Sequence, residues 1–156
     1  DEFYKRLVAN DVFGGGPYSL LFSNVREKMS LCYYCSSRFC ASKGNVIVQS
    51  GIEPQNRDKL ISAVLEQLEK LKQGEFSEEV LSASKKAISD IFGTVFDTPQ
   101  TIMGYYGNLV YDYPLTPEEA VEQVNATTKE DVIRILNELE LDIIYALEGN
   151  GETENE

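Results

Sequence analysis

Gly14-Gly15-Gly16-Pro17-Tyr18-Ser19-Leu20-Leu21-Phe22, running on through Val25-Arg26-Glu27-Lys28-Met29 to Ser30-Leu31-Cys32-Tyr33-Tyr34, is the stretch whose reading decides the fold. Upstream of it, Phe3, Leu7, Val8 and Val12 recur on one face and predict a helix over residues 2–13. Gly14 to Gly16 are expected to end that helix, because glycine takes the left-handed cap conformation at no steric cost. Pro17 suits the first turn of a second helix, where its missing N–H is not needed. Leu20, Leu21, Phe22 and Val25 give this helix an apolar stripe up to about Met29. From Leu31 the pattern turns to strand, since Tyr33, Tyr34 and Phe39 favour extended backbone.

The rest of the chain continues in the same mixed style. Ser42-Lys43-Gly44-Asn45 reads as a hairpin turn, followed by a second strand with Val46, Val48 and Ile52 on one face and Pro54 closing it. Asn56 is the expected N-cap of a helix bearing Leu60, Ile61, Val64, Leu65, Leu68 and Leu71, stopped near Gly74. Ser77-Glu78-Glu79 opens the next, with its acids at the positive end of the helix dipole and Pro99 as its latest limit. A further helix is expected over 100–111 despite Gly104 and Gly107. Thr116-Pro117-Glu118-Glu119 has the form of a capping box. Thr128 caps a helix with Val132, Ile133, Leu136 and Leu139. Leu141 to Leu147 reads as a third strand. The expectation is an α+β domain over 1–148: an antiparallel or mixed sheet, three strands in this chain, covered by several helices. The polar stretch 149–156 is expected to be a disordered tail.

Composition excludes several function classes. The chain has 156 residues, one domain's length, with 42% hydrophobic residues and a net charge of −12. Such acidity argues against nucleic acid, whose phosphates need a cationic patch, and against anionic membrane surfaces. No apolar run approaches ~20 residues, the length a membrane-spanning helix needs. Three cysteines gathered in one segment form no disulfide framework, which fits a reducing, cytoplasmic setting.

The candidate chemistry is sparse. Arg26 and Tyr33 lie at a helix-to-strand corner, which can aim both at one end of the sheet. A phenol that donates a hydrogen bond and a permanently charged guanidinium suit oxyanion stabilisation. One well-placed donor of that kind is worth about 3–4 kcal/mol. Neither group activates water without a base or a metal, so hydrolysis needs a partner. The plainer reading makes Arg26 a helix-surface residue and Tyr33 an ordinary strand aromatic. Gly14–Gly16 lacks the Lys-Ser/Thr of a phosphate loop. Cys32, Cys35 and Cys40 fall short of four tetrahedral ligands, and strand alternation puts Cys32 and Cys40 opposite Cys35, so they read as small core residues. Glu78-Glu79 and Glu118-Glu119 are explained by their helix starts. Tyr105-Tyr106 reads as helix packing.

The block at 13–34 resembles the signature of the second, non-zinc domain in each half of pitrilysin/insulinase-type metallopeptidases. The likeness rests on the glycine turn, the Ser-x-Leu-Phe helix, Val-Arg-Glu and the Ser-Leu-x-Tyr-Tyr strand entry. It extends to Gly74-Glu75-Phe76-Ser77-Glu78-Glu79 and Thr128-Lys129-Glu130-Asp131-Val132. In wording it is closest to bacterial zinc-less members. The resemblance implies that Tyr33 is a substrate and oxyanion donor, Arg26 its orienting partner, and Tyr34 a core residue on the opposite face. It also implies that the amides of Gly14, Gly15 and Gly16 pair with an extended peptide. The family's H-x-x-E-H motif is missing, because the sequence has no histidine. No cofactor is therefore expected in this chain; zinc would sit on a separate domain or partner. The implied partners are a peptide or unfolded polypeptide, and other domains of one longer parent or a homologous zinc-bearing subunit. Three functions follow from the likeness: a non-catalytic, chamber-forming peptide-binding domain; the Arg–Tyr domain of an active zinc metalloendopeptidase; or an assembly module with no substrate role.

Overall fold

Six α-helices, two π-helical segments, one 3-10 turn and one antiparallel hairpin make up the regular structure among the described residues, 2–107 and 115–148 of the computed structural model. The fold is α+β, as the periodicities predict. Helix α1 covers Glu2–Asn10. Strands β1 (Tyr34–Cys40) and β2 (Asn45–Gly51) pair in a register that sets Tyr34 opposite Gly51 and Cys40 opposite Asn45. The turn between them is the expected one, with Gly44 at φ +65°, a conformation that glycine adopts without penalty. Helices α2 (Arg57–Lys72), α3 (Glu78–Gly93), α4 (Pro99–Gly107), α5 (Pro117–Ala126) and α6 (Lys129–Asn137) follow.

Local signals placed most of these ends. Ser77 Oγ accepts from the Val80 amide, Thr116 and Glu119 form a reciprocal capping box with Pro117 at the first helical position, and Thr128 does the same with Asp131. Gly74 stops the chain after α2 at φ +78°. Asn56 stands at the N-cap of α2 but is itself helical and makes no side-chain cap, because a 3-10 turn at Pro54–Asn56 already leads into the helix.

Four expectations are corrected. Leu141 to Leu147 is not a strand: no described backbone group pairs with it, and Leu141, Ile143, Ile144, Tyr145 and Leu147 are exposed, Leu147 by 86%. The described sheet thus has two strands, not three, since a strand is defined by a neighbour and not by its own alternation. The first helix does not end at a left-handed glycine. It continues as a π turn over Asp11–Gly15, and Gly16 is extended at φ −125°. Pro17 lies in a turn, and the second helix is a π helix over Leu21–Lys28 whose end shows the i→i−5 bond from the Met29 amide to the Asn24 carbonyl at 3.0 Å. Tyr34 is exposed rather than core; its ring covers Gly51 across the hairpin, where a Cβ would lie 2.5 Å from Tyr34 Cε1. Positions 108–111 of the expected 100–111 helix, and the tail 149–156, lie outside the described residues.

The core forms where α1, the two π segments and the inner face of β1 meet α2, α3, α5 and α6. Val8, Val12, Leu21, Val25, Leu71, Val124, Val132 and Leu136 are sealed within it. Gly14 is required there by close approach: a Cβ would stand 2.7 Å from Leu21 Cδ1 and 2.8 Å from the Ser37 amide nitrogen. Ser37 Oγ donates to the Asn10 carbonyl at 3.1 Å, fixing the end of α1 to β1. Gln67 takes a core position on α2 because its amide oxygen accepts from Asn24 Nδ2 at 2.6 Å, tying α2 to the π helix. A buried amide that is hydrogen-bonded avoids the desolvation cost it would otherwise carry.

Candidate functional site

The π helix carries both the core and the site. Leu21 and Val25 face inward, while Arg26 lies at its outer end. The chain then turns at Ser30, whose φ of +52° is the left-handed conformation that commonly ends a helix. Tyr33 is a bend residue just ahead of β1 rather than a strand member, although its amide already donates to the Gly51 carbonyl at 2.8 Å.

Arg26 and Tyr33 are brought together, by way of the backbone. Arg26 Nε donates to the Tyr33 carbonyl oxygen at 3.0 Å. The guanidinium also pairs with Glu27 at 2.5 Å and lies 4.8 Å from the centre of the Phe22 ring. These contacts hold the arginine in place and leave the phenol free to point elsewhere. Tyr33 is 68% exposed, and its hydroxyl donates to Glu53 Oε1. That carboxylate raises the phenol above its ordinary pKa, first through the hydrogen bond and then through its charge. Tyr33 is therefore a protonated donor at neutral pH. Arg26, Glu27, Ser30, Leu31, Cys32, Tyr33, Glu53 and Asn56 line an open groove of about 390 Å³.

Glu53 was missed at the sequence level. The signal was present in the hairpin: with Tyr34 opposite Gly51, the residues just before β1 must meet those just after β2. The glycine run lies apart from this groove. Gly14 is buried, Gly16 is half-buried and Gly15 alone is exposed. The Asp11 carboxylate sits against the last two, so that a Cβ on Gly15 would be 2.9 Å from Oδ1 and one on Gly16 3.0 Å from Oδ2. Burial raises the Asp11 pKa. Cys35 is buried on the inner face of β1, and Cys32 and Cys40 are half-buried. Tyr105 packs edge-on against Phe92 and donates to the Leu115 carbonyl at 2.8 Å, as helix packing requires. Among the described residues no cluster of His, Cys, Asp and Glu is placed to hold a metal ion, and no helix is long and apolar enough to cross a membrane.

The model of the peptidase M16 inactive domain matches residues 2–88, a span that includes the glycine block, the Arg26–Tyr33 corner and the whole hairpin. The chain belongs to the M16 peptidase family. Within that family it is similar to the probable inactive metalloprotease YmfF of Bacillus subtilis (strain 168), at 36% identity over 151 residues covering 96% of this chain and 35% of that protein. The fold recurs in a conserved protein from Enterococcus faecalis V583, with a TM-score of 0.82, 30% identity, and coverage of 90% of this chain and 33% of that one. A protease from Helicobacter pylori shares the fold at a TM-score of 0.76 and 19% identity, with 88% and 34% coverage. The chain thus spans about a third of the length of these relatives. The pitrilysin/insulinase-type resemblance read from the glycine block is borne out, and the domain type is the inactive one.

Proposed function

We propose that this M16 inactive domain is a non-catalytic, peptide-binding wall of a chamber, and that it presents the Tyr33 phenol to an extended polypeptide. The observation that carries the reading is the exposed, protonated phenol at the mouth of an open groove, with Arg26 anchoring the backbone of the same residue. An incoming peptide carbonyl competes with Glu53 for the Tyr33 proton, while the guanidinium stays bound to the main chain. The role is gripping, a reading supported by the inactive domain type of the family model that matches residues 2–88. Zinc, where a longer parent or a partner subunit has it, would come from outside these residues, and the setting proposed is cytoplasmic. The test is binding of dye-labelled, unfolded casein, followed by fluorescence anisotropy. Tyr33→Phe is expected to weaken binding severalfold without changing the fold. Unaltered binding would reduce Tyr33 to a surface aromatic.

One observation favours a second reading, in which the domain is chiefly an assembly module. Residues 141–147 expose five large apolar side chains without any backbone pairing, and unpaired apolar extended segments commonly serve as contact surfaces. On this reading Tyr33→Phe leaves casein binding untouched.

A further inference from the structure

The Tyr33 hydroxyl and the Glu53 carboxylate stand side by side in the groove wall, one a donor and the other an acceptor. Both belong to residues whose main chain is fixed. The Tyr33 amide donates to the Gly51 carbonyl at 2.8 Å, and the Tyr33 carbonyl accepts from Arg26 Nε at 3.0 Å. Glu53 occupies the corner between β2 and α2. Its backbone is extended, at φ −71° and ψ 139°, as the residue before a proline prefers. Its carbonyl accepts from the Asn56 amide at 2.9 Å, which fixes it to the 3-10 turn. The Glu53 side chain makes no cap on that turn, so its carboxylate does not hold the corner together. Both side chains are exposed. The pair is thus anchored at its base and open at its tips, an arrangement that lowers the ordering cost of binding.

The partner exchange described above strips one group of its donor. When the Tyr33 hydroxyl turns from Glu53 to a peptide carbonyl, the carboxylate loses the phenol proton. An acceptor covered by a bound chain costs free energy unless another donor reaches it. An extended polypeptide carries that donor. Two residues facing each other in an antiparallel ladder exchange both of their N–H···O bonds, because the N–H and C=O of one extended residue point to the same side. One residue can therefore meet an adjacent donor and acceptor at once. We propose that Glu53 is a second peptide-binding residue, which accepts the main-chain N–H of the same residue whose carbonyl takes the Tyr33 proton. The proposal rests on the reading of Tyr33 given above. The ligand class it defines is the extended polypeptide backbone itself, recognised without regard to side chains. One hydrogen bond of the free domain becomes two in the complex, and no polar group is stranded. Arg26 stays on Glu27 and the Tyr33 carbonyl throughout.

The test is a chemical double-mutant cycle on the full chain. A dye-labelled dodecapeptide of Ala, Ser, Leu and Gln is compared by fluorescence anisotropy with the same peptide N-methylated at every residue, which keeps its carbonyls and has no main-chain N–H. On the parent chain, methylation is expected to weaken binding by about fivefold or more, the worth of one net hydrogen bond. On Glu53→Ala it should cost less than about twofold, and the unmethylated peptide should bind severalfold more weakly than to the parent chain. Glu53→Gln retains an acceptor oxygen and should retain most of the methylation cost. Equal methylation costs on the parent chain and Glu53→Ala overturn the proposal. So does a Glu53→Gln chain that behaves like Glu53→Ala, since charge and not an acceptor would then be what Glu53 supplies. Tyr33→Phe separates the two readings. If it weakens binding of the unmethylated peptide while the methylation costs are equal, Glu53 alone is removed from the site. If it leaves that binding unaltered, the Tyr33 reading falls and Glu53 falls with it.

Discussion

Two sides of one short π helix behave as opposites. On its inner side, Leu21 and Val25 are fully buried, Gly14 admits no side chain, and Asn24 satisfies the buried Gln67 amide. On its outer side, Arg26 reaches the carbonyl of a tyrosine that is two-thirds exposed, and that tyrosine's hydroxyl donates to a surface carboxylate. The inner side is close-packed and has no room to change. The outer side is loosely held and free to exchange partners. The comparison teaches that the same block of sequence specifies a packed joint on one face and an open groove, the proposed grip, on the other, so substitutions should separate the two cleanly.

The largest effect is expected at the joint. Leu21→Ala removes a sealed side chain and leaves a cavity, and should destabilise the fold by about 2–5 kcal/mol as read from urea unfolding. A loss below about 1 kcal/mol would mean that the joint collapses to fill the space. Gly14→Ala comes next. The added methyl meets the Ser37 backbone, which cannot swing away as a side chain could. Overpacking of this kind costs about 1–3 kcal/mol, and an unchanged unfolding midpoint would show that β1 can move.

A smaller, pH-dependent effect belongs to the α1–α6 contact, where Lys5 Nζ meets Asp131 Oδ1 at 2.7 Å. Burial alone would raise the Asp131 pKa, but hydrogen bonds from Lys5 and Thr128 and the Lys5 charge outweigh it and hold the carboxyl below its ordinary value. The folded state therefore prefers the ionised form. The stability this confers is fully present above the ordinary carboxylate range and fades as pH falls through the lowered folded-state value. Asp131→Asn should lower the unfolding midpoint at about pH 6 and converge with the parent protein well below about pH 4. A constant gap at all pH values would assign the effect to the loss of the Thr128 cap rather than to charge.

What was legible in the sequence was local. The capping box at Thr116, the cap at Thr128, the Ser42–Asn45 turn and the stop at Gly74 involve partners within a few residues, so residue type alone reveals them. The Arg26–Tyr33 corner was legible for the same reason, since seven residues cover one helix end and one bend. What escaped was set by distance or by packing. The 141–147 segment alternates like a strand, but pairing is decided by a neighbour that the segment does not name. The π winding over Asp11–Gly15 and Leu21–Lys28 has no residue-type signal, and the close approach of Gly14 to Ser37 joins positions 23 apart. The burial of Gln67 has no local signal, because its partner, Asn24, lies on another element. Glu53 was recoverable in part, because extending the hairpin register past the strand ends brings it opposite Cys32, one position from Tyr33.

The central claim is that the outer face of the joint grips peptide through the Tyr33 hydroxyl without holding the fold together. Tyr33→Phe tests it by removing one oxygen while keeping the ring. The account predicts an unfolding free energy within about 0.5 kcal/mol of the parent protein, together with a two- to tenfold weaker dissociation constant for unfolded casein, about the worth of one net hydrogen bond. Unchanged casein affinity with a clearly lowered unfolding free energy would contradict it.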